Sequence, residues 1–369
     1  MFRLALRFSW RGKQGHCSRS ITAADHVFRS FSVNNDTPLP PNHQLLKTPA
    51  TVLQRLGIYG ELSKVRLSSL VVVTTGAGFL ATGLPIDWAV LGTTCVGTAF
   101  CAASANTFNQ TLEQEYDSKM NRTNSRPLPS GRVSTTEATM WGITAGAVGS
   151  SMLLLTSNPV VAALGLGNIF LYAGPYTYLK RRSEINTWVG SVVGAIPPVM
   201  GWAAATGGEV LAADPMFLAG ILFLWQFPHF FALSWLHRED YARGGFQMVA
   251  VNDPDAVRSG SLVLRYSLYL TALPLVAYGL DLTSSMFALE GSFVNMYLLY
   301  LAMKFKNNQS NANARRVFLC SLWYLPLLLG SFVLFSKRWD GNRLPTEQSQ
   351  VVQCIFFLLF FFFLFPKCL

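Results

Sequence analysis

The stretch WAVLGTTCVGTAFCAASANTFNQTLEQEYDSKMNRTNSRPL, residues 88–128, runs from an apolar segment straight into a loop crowded with amides, carboxylates and arginines. A membrane-spanning helix needs roughly 20 consecutive, mostly apolar residues, and residues 88–108 supply them. With roughly 3.6 residues per helical turn, Asn109, Glu113 and Asp117 lie on one stripe of a helix that continues past the bilayer. Glu115 points away from that stripe. Hard oxygen donors at this spacing suit Mg2+, which takes one or two carboxylates and completes its shell with water and substrate phosphate. Lys119, Arg122 and Arg126 follow within reach, and guanidinium groups fit phosphate oxygens in pairs. The pattern is that of a metal-bridged diphosphate site at the membrane surface, where ionisable groups are costly and mark function.

Working outward, the same kind of apolar run recurs near 67–84, 88–108, 138–156, 159–178, 187–206, 215–236, 262–280, 284–304 and 316–335. These nine stretches predict an all-α polytopic membrane bundle of nine transmembrane helices. Composition agrees: with 51% hydrophobic and 13% charged residues, the 369-residue chain has more apolar surface than one soluble core buries. The connections after spans two, four, six and eight hold Lys119, Arg122, Arg126, Arg132, Lys180, Arg181, Arg182, Arg238, Arg243, Arg258, Lys304, Lys306, Arg315 and Arg316. Those after spans one, three, five and seven hold only Asp87, Glu209, Asp214 and Asp281. The positive-inside rule therefore puts the even loops and the N-terminus on one side. The net charge of +10 reflects topology, and no nucleic-acid partner is expected. The six cysteines form no CxxC pair and read as small core residues.

Residues 1–31 have the pattern of a mitochondrial presequence. Arg3, Arg7, Arg11, Lys13 and Arg19 occur with no acid over residues 1–24, and Arg29-Ser30-Phe31-Ser32 resembles a processing site. The even loops then face the matrix. Residues 32–60 read as a flexible lead-in, 61–336 as the membrane domain, and 337–369 as a divergent tail whose Phe-rich run at 351–366 has no functional account.

Span six ends in a second polar loop, with His237, Arg238, Glu239, Asp240 and Arg243 after Trp225-Gln226-Phe227-Pro228-His229-Phe230. A four-span unit with its polar loop after the second helix thus repeats, which predicts two pseudo-symmetric four-helix halves plus a ninth helix. Facing acidic loops predict a two-metal clamp on one diphosphate. Between them, Lys180 and Arg181 are placed for the terminal phosphate, and Tyr172, Tyr176 and Tyr178 offer ring faces to a cation. Pro197-Pro198 predicts a broken helix in span five, tolerated where backbone lines a cavity.

The run Asn109, Glu113, Asp117, Met120, Arg122-Thr123, Arg126-Pro127-Leu128 resembles the first signature of the UbiA-type intramembrane prenyltransferases. Tyr176 to Arg181, Gly194 to Trp202, Trp225 to Phe230 and Glu239 to Tyr241 are similar to the branch of that family that farnesylates haem. The likeness covers about residues 60–335. It implies nine helices around a lipid-accessible cavity and Mg2+-dependent transfer from farnesyl diphosphate to a vinyl group of haem b. Under it, Asn109, Glu113 and Asp117 hold metal with Glu239 and Asp240, and Lys180 joins the first three in catalysis. Arg122, Arg126, Lys180, Arg181 and Arg243 grip diphosphate. Tyr176, Trp202, Trp225, His229 and His237 line the haem or prenyl cavity, either histidine being a candidate ligand for haem iron. Implied partners are lipid of the inner mitochondrial membrane and either a second copy or a haem A synthase that takes the product. The chain departs from the family pattern in having Glu113 for the usual Asp, and His237, Glu239 and Asp240 in place of two aspartates spaced by four. Two rival readings are a family member that prenylates an aromatic acid such as 4-hydroxybenzoate and a transporter with repeated halves. Ligands gathered at one membrane face, rather than the midplane, weigh against the transporter.

Overall fold

The computed structural model describes residues 51–338. The presequence, residues 32–50 of the lead-in and the tail beyond 338 lie outside the described residues. Eight helices are long and apolar enough to cross a bilayer: α3 (Trp88–Leu112), α5 (Thr135–Thr156), α6 (Pro159–Leu179), α7 (Asn186–Ala205), α8 (Ala213–Leu236), α10 (Val257–Gly279), α11 (Ser285–Asn307) and α12 (Asn311–Leu334). A shorter apolar helix, α2 (Val65–Leu80), precedes them. Short helices α1 (Val52–Leu62), α4 (Gln114–Asp117) and α9 (Arg238–Arg243) lie outside the spans. The described residues are thus all-helical, apart from a single Thr283–Ser336 bridge.

Two expectations fail. Residues 52–60, read as flexible, belong to α1, because Thr51 and Gln54 form a reciprocal capping box at its start. Its Ile58, Tyr59 and Leu62 then pack on Leu128, Val133, Ala138 and Trp141. Nor does Pro197-Pro198 break span five, for α7 runs through both prolines. The neighbouring helix explains this. A Cβ on Gly78 of α2 would lie 1.9 Å from the Pro198 carbonyl oxygen, and one on Gly201 of α7 would lie 1.8 Å from that of Thr75. The two backbones touch, and small residues at such crossings let membrane helices pack by van der Waals contact.

Most of the buried apolar side chains gather between α7, α8, α10, α11 and α12, around Trp202, Phe227, Phe231, Phe287, Tyr324 and Phe332. Phe170, Leu155, Phe293 and Met296 remain exposed on the outer faces, as expected of helices that meet lipid.

Candidate active site

α3 carries Asn109 on its last turn and ends at Glu113, whose φ of −98° and ψ of 5° turn the chain into α4. That sparsely allowed region is common at active sites. Asp117 closes α4. Asn109, Glu113 and Asp117 are all buried, and each meets a cation. Lys64 Nζ donates to Asn109 Oδ1 at 3.0 Å, Lys180 Nζ to Glu113 Oε1 at 2.8 Å, and Arg126 Nη1 to Asp117 Oδ2 at 2.6 Å. Asn109 Nδ2 in turn donates to Thr177 Oγ1 at 3.0 Å, tying α3 to α6. The second oxygen of Asp117, Oδ1, is buried and has no hydrogen-bond partner. Glu115 is exposed and pairs with Lys119.

The segment that brings Lys180 in is a π-helical turn, Tyr172–Tyr176, containing Pro175. π turns within α-helices often mark functional positions. Here the turn stacks Tyr172 on Tyr176 with ring centroids 5.2 Å apart and sets Lys180 Nζ 4.5 Å from the Tyr176 ring. Burial works against the Lys180 ammonium, but the Glu113 carboxylate outweighs it and holds the group above the usual lysine range. Lys64 has no such carboxylate in direct contact. Burial, with Arg126 and Lys180 nearby, pushes it down to about 7, against partial support from Glu113 and Asp117. Its left-handed backbone, φ 47° and ψ 52°, is strained for a side-chain-bearing residue and turns the chain from α1 into α2.

Lys64 is the site residue that the sequence reading missed. The available signal was a lysine in Ser63-Lys64-Val65-Arg66, at the basic end of the first apolar run.

The two polar loops meet, though not as facing carboxylates. Asp240 accepts from the backbone N–H groups of Asn121 (3.1 Å) and Arg122 (3.3 Å) and pairs with Arg243. Burial alone would raise its carboxyl; the Arg243 guanidinium and those N–H groups hold it below the usual range. Glu239 is exposed. Among the described residues no three His, Cys, Asp or Glu side chains come together. Asp240 acts as a strut on the first loop. Arg181 stacks on Tyr116 at 3.9 Å from its ring and hydrogen-bonds its hydroxyl, while Arg122 lies 5.5 Å from the Tyr241 ring.

The residues assigned to the cavity separate. Tyr176 lies at the cap. His229 and Trp225 sit on the α8–α12 seam, where Trp225 Nε1 donates to the Ser321 carbonyl at 2.8 Å. Half-buried His237 caps α8, its imidazole held below the usual range by burial and then by Arg122. Trp202 is fully buried near the opposite end of α7, with Arg338 5.6 Å from its ring, away from the polar loops.

A cleft of about 670 Å³ opens beside Glu113, bounded by Leu112, Tyr116, Pro175, Thr177 and Arg181. A second, mostly apolar pocket between α2, α3, α6 and α7 is lined by Val71, Thr98, Cys101, Ile169, Pro197 and Met200, and reaches Asn106 and Tyr172. A polar, cation-rich cap above an apolar pocket suits an amphiphile with a charged head.

The family model described as the UbiA prenyltransferase family matches residues 69–332. The chain belongs to the UbiA prenyltransferase family. A human relative named "Protoheme IX farnesyltransferase, mitochondrial" is 48% identical over 286 residues, covering 78% of this chain and 63% of that protein. This UbiA-family chain thus spans less than two thirds of that relative's length. Its fold is also that of a structure described as digeranylgeranylglyceryl phosphate synthase, with a TM-score of 0.64 at 16% identity over 76% of this chain and 98% of the other. A UbiA homolog from Archaeoglobus fulgidus, described as bound to DMAPP and Mg2+, shares the fold with a TM-score of 0.51 at 14% identity, over 74% and 98%.

Proposed function

We propose that this UbiA-family chain transfers the farnesyl group of farnesyl diphosphate to a vinyl group of haem b, giving haem O. In this reading the protein lies in the inner mitochondrial membrane, residues 1–31 are its presequence, and the polar loops face the matrix. The observation that carries the chemistry is the meeting of Asn109, Glu113 and Asp117 with Lys64, Lys180 and Arg126 at one end of an apolar pocket. Haem as acceptor rests on the human relative's name and extent of identity.

The residues fit Mg2+. Asp117 Oδ1 is a buried, unpartnered carboxylate oxygen, and Glu113 and the Asn109 amide add hard oxygen donors. A bound Mg2+ would neutralise diphosphate and make it a better leaving group. The chain's own cations do related work. Lys64, Lys180 and Arg126, now directed at Asn109, Glu113 and Asp117, bind the phosphoryl oxygens, and Arg122, Arg181 and Arg243 ring the mouth. The C–O bond breaks with its electron pair on the leaving oxygen. Tyr172 and Tyr176 present ring faces to the allylic cation, while the apolar pocket keeps water away. The vinyl π pair then forms the C–C bond, and water adds to the resulting cation with loss of one proton.

The test is mass spectrometry of haem extracted from a farnesyltransferase-deficient host expressing the chain. Haem O should accumulate; unchanged haem b alone overturns the reading. Asp117→Asn should abolish product while the protein stays inserted in the membrane fraction, and an active, Mg2+-independent variant would refute the metal role.

A further inference from the structure

We propose that His229 ligates the iron of the haem acceptor through Nε2, with Ser321 holding the ring in the tautomer this requires; the inference rests on haem b being the acceptor. His229 lies two turns before the end of α8, and its Nδ1 is 2.8 Å from Ser321 Oγ on α12. A serine hydroxyl has one proton to donate. That proton goes to the Phe318 carbonyl at 2.6 Å. Towards His229 the same oxygen accepts, so Nδ1 carries the imidazole proton and Nε2 holds the lone pair. Among the described residues Nε2 has no hydrogen-bond partner. A histidine that ligates metal with one nitrogen typically has the other fixed by such a hydrogen bond.

The ring is also clamped. Trp225 stacks on it with centroids 4.9 Å apart and planes 25° apart, and Phe318 lies 5.0 Å away at 37°. Trp225 is itself anchored by its bond to the Ser321 carbonyl. Stacking covers the faces of an imidazole but leaves its in-plane lone pair free, and that lone pair is what an axial haem ligand uses. A brace between α8 and α12 would need only the Nδ1 contact, and it would leave an acceptor without a partner inside a membrane, which is costly. His229 is only half-buried. Its position also suits the chemistry. The next residue, Phe230, packs on Met120, Tyr241, Phe246 and Met248, and Phe246 lies 5.9 Å from Lys180 Nζ. The turn of α8 that carries His229 thus adjoins residues of the cap.

The experiment titrates ferric haem b into the purified full-length chain in lipid nanodiscs, read by absorption and electron paramagnetic resonance. His229→Gly should lose the parent's histidine-ligand signature and regain it on addition of imidazole, while His237→Ala keeps it. Ser321→Ala, which removes only the positioning contact, should weaken haem binding about tenfold. Retained farnesyl diphosphate binding reports that each variant is folded. Parent-like spectra in His229→Gly, or loss of the signature in His237→Ala, overturn the assignment even where haem O is still made. Failure of the parent both to bind haem and to make haem O overturns the acceptor reading itself.

Discussion

The charge on Lys64 should depend on whether a diphosphate occupies the cap. In the free protein its ammonium is held down to about 7 from an ordinary 10.5. Below about 7 it is protonated whether the chain is folded or not, and its burial then costs stability in full. Between about 7 and 10.5 only the unfolded state binds the proton, so this residue's contribution to stability improves as pH rises through that window. A diphosphate reverses the local field and pulls the proton back on. Pyrophosphate binding at pH 8, followed by calorimetry in buffers of different ionisation enthalpy, should take up close to one proton more in the parent than in Lys64→Arg; equal uptake contradicts the argument. The Lys180–Glu113 pair makes a second prediction. Both side chains are nearly buried, and removing one partner of such a pair costs about 3–5 kcal/mol. Lys180→Met should therefore lower thermal stability sharply, while Lys180→Met with Glu113→Gln recovers most of it without recovering turnover. Full activity in the double variant would show that the pair is only structural. The stripe of Asn109, Glu113 and Asp117 is legible in the sequence because four-residue spacing is local. Lys64 is not, because it meets Asn109 across 45 positions and only through a left-handed turn.

At the scale of helices, apolar length and alternating loop charge suffice to locate the spans, and eight long helices and one shorter one stand where the runs predict them. What those cues miss is set by neighbours. α1 looks like a polar lead-in because its stability comes from packing against the Leu128–Trp141 region, and Arg132 secures it by an ion pair to Glu61 at 2.5 Å. The prolines of α7 look like a break because nothing local shows that α2 lies against them. That crossing gives a sharp prediction. Gly201→Ala puts a methyl group 1.8 Å from the Thr75 carbonyl oxygen, a backbone atom that cannot swing aside. Overpacking typically costs about 1–3 kcal/mol, and backbone collision places this variant at the upper end. Melting of the purified protein should fall by several degrees or the variant should fail to accumulate; a parent-like melting curve would mean that α2 and α7 do not cross here.

Across the whole molecule, one end of the bundle is basic and holds the cap, while the other is acidic. The exceptions support the rule. Lys337 and Arg338, arriving at the acidic end after α12, are matched by Asp281 and by Asp214, the latter 2% exposed and gripped by Arg338 at 2.6 Å. Paired charges add nothing net to that face, so the asymmetry that orients a membrane protein survives them. The fold and the position of the polar stripe follow from this pattern, whereas the contacts of His229 and Trp225 with Ser321 do not, because they form only through the packing of α8 on α12. Orientation is open to direct measurement. Ser118, in the loop after α3, and Glu209, between α7 and α8, are both exposed and lie at opposite ends. In a chain freed of its native cysteines, Glu209→Cys should react with a membrane-impermeant maleimide added to mitoplasts, whereas Ser118→Cys should react only after the membrane is opened. The reverse labelling would put the cap on the intermembrane side and contradict the proposed matrix orientation.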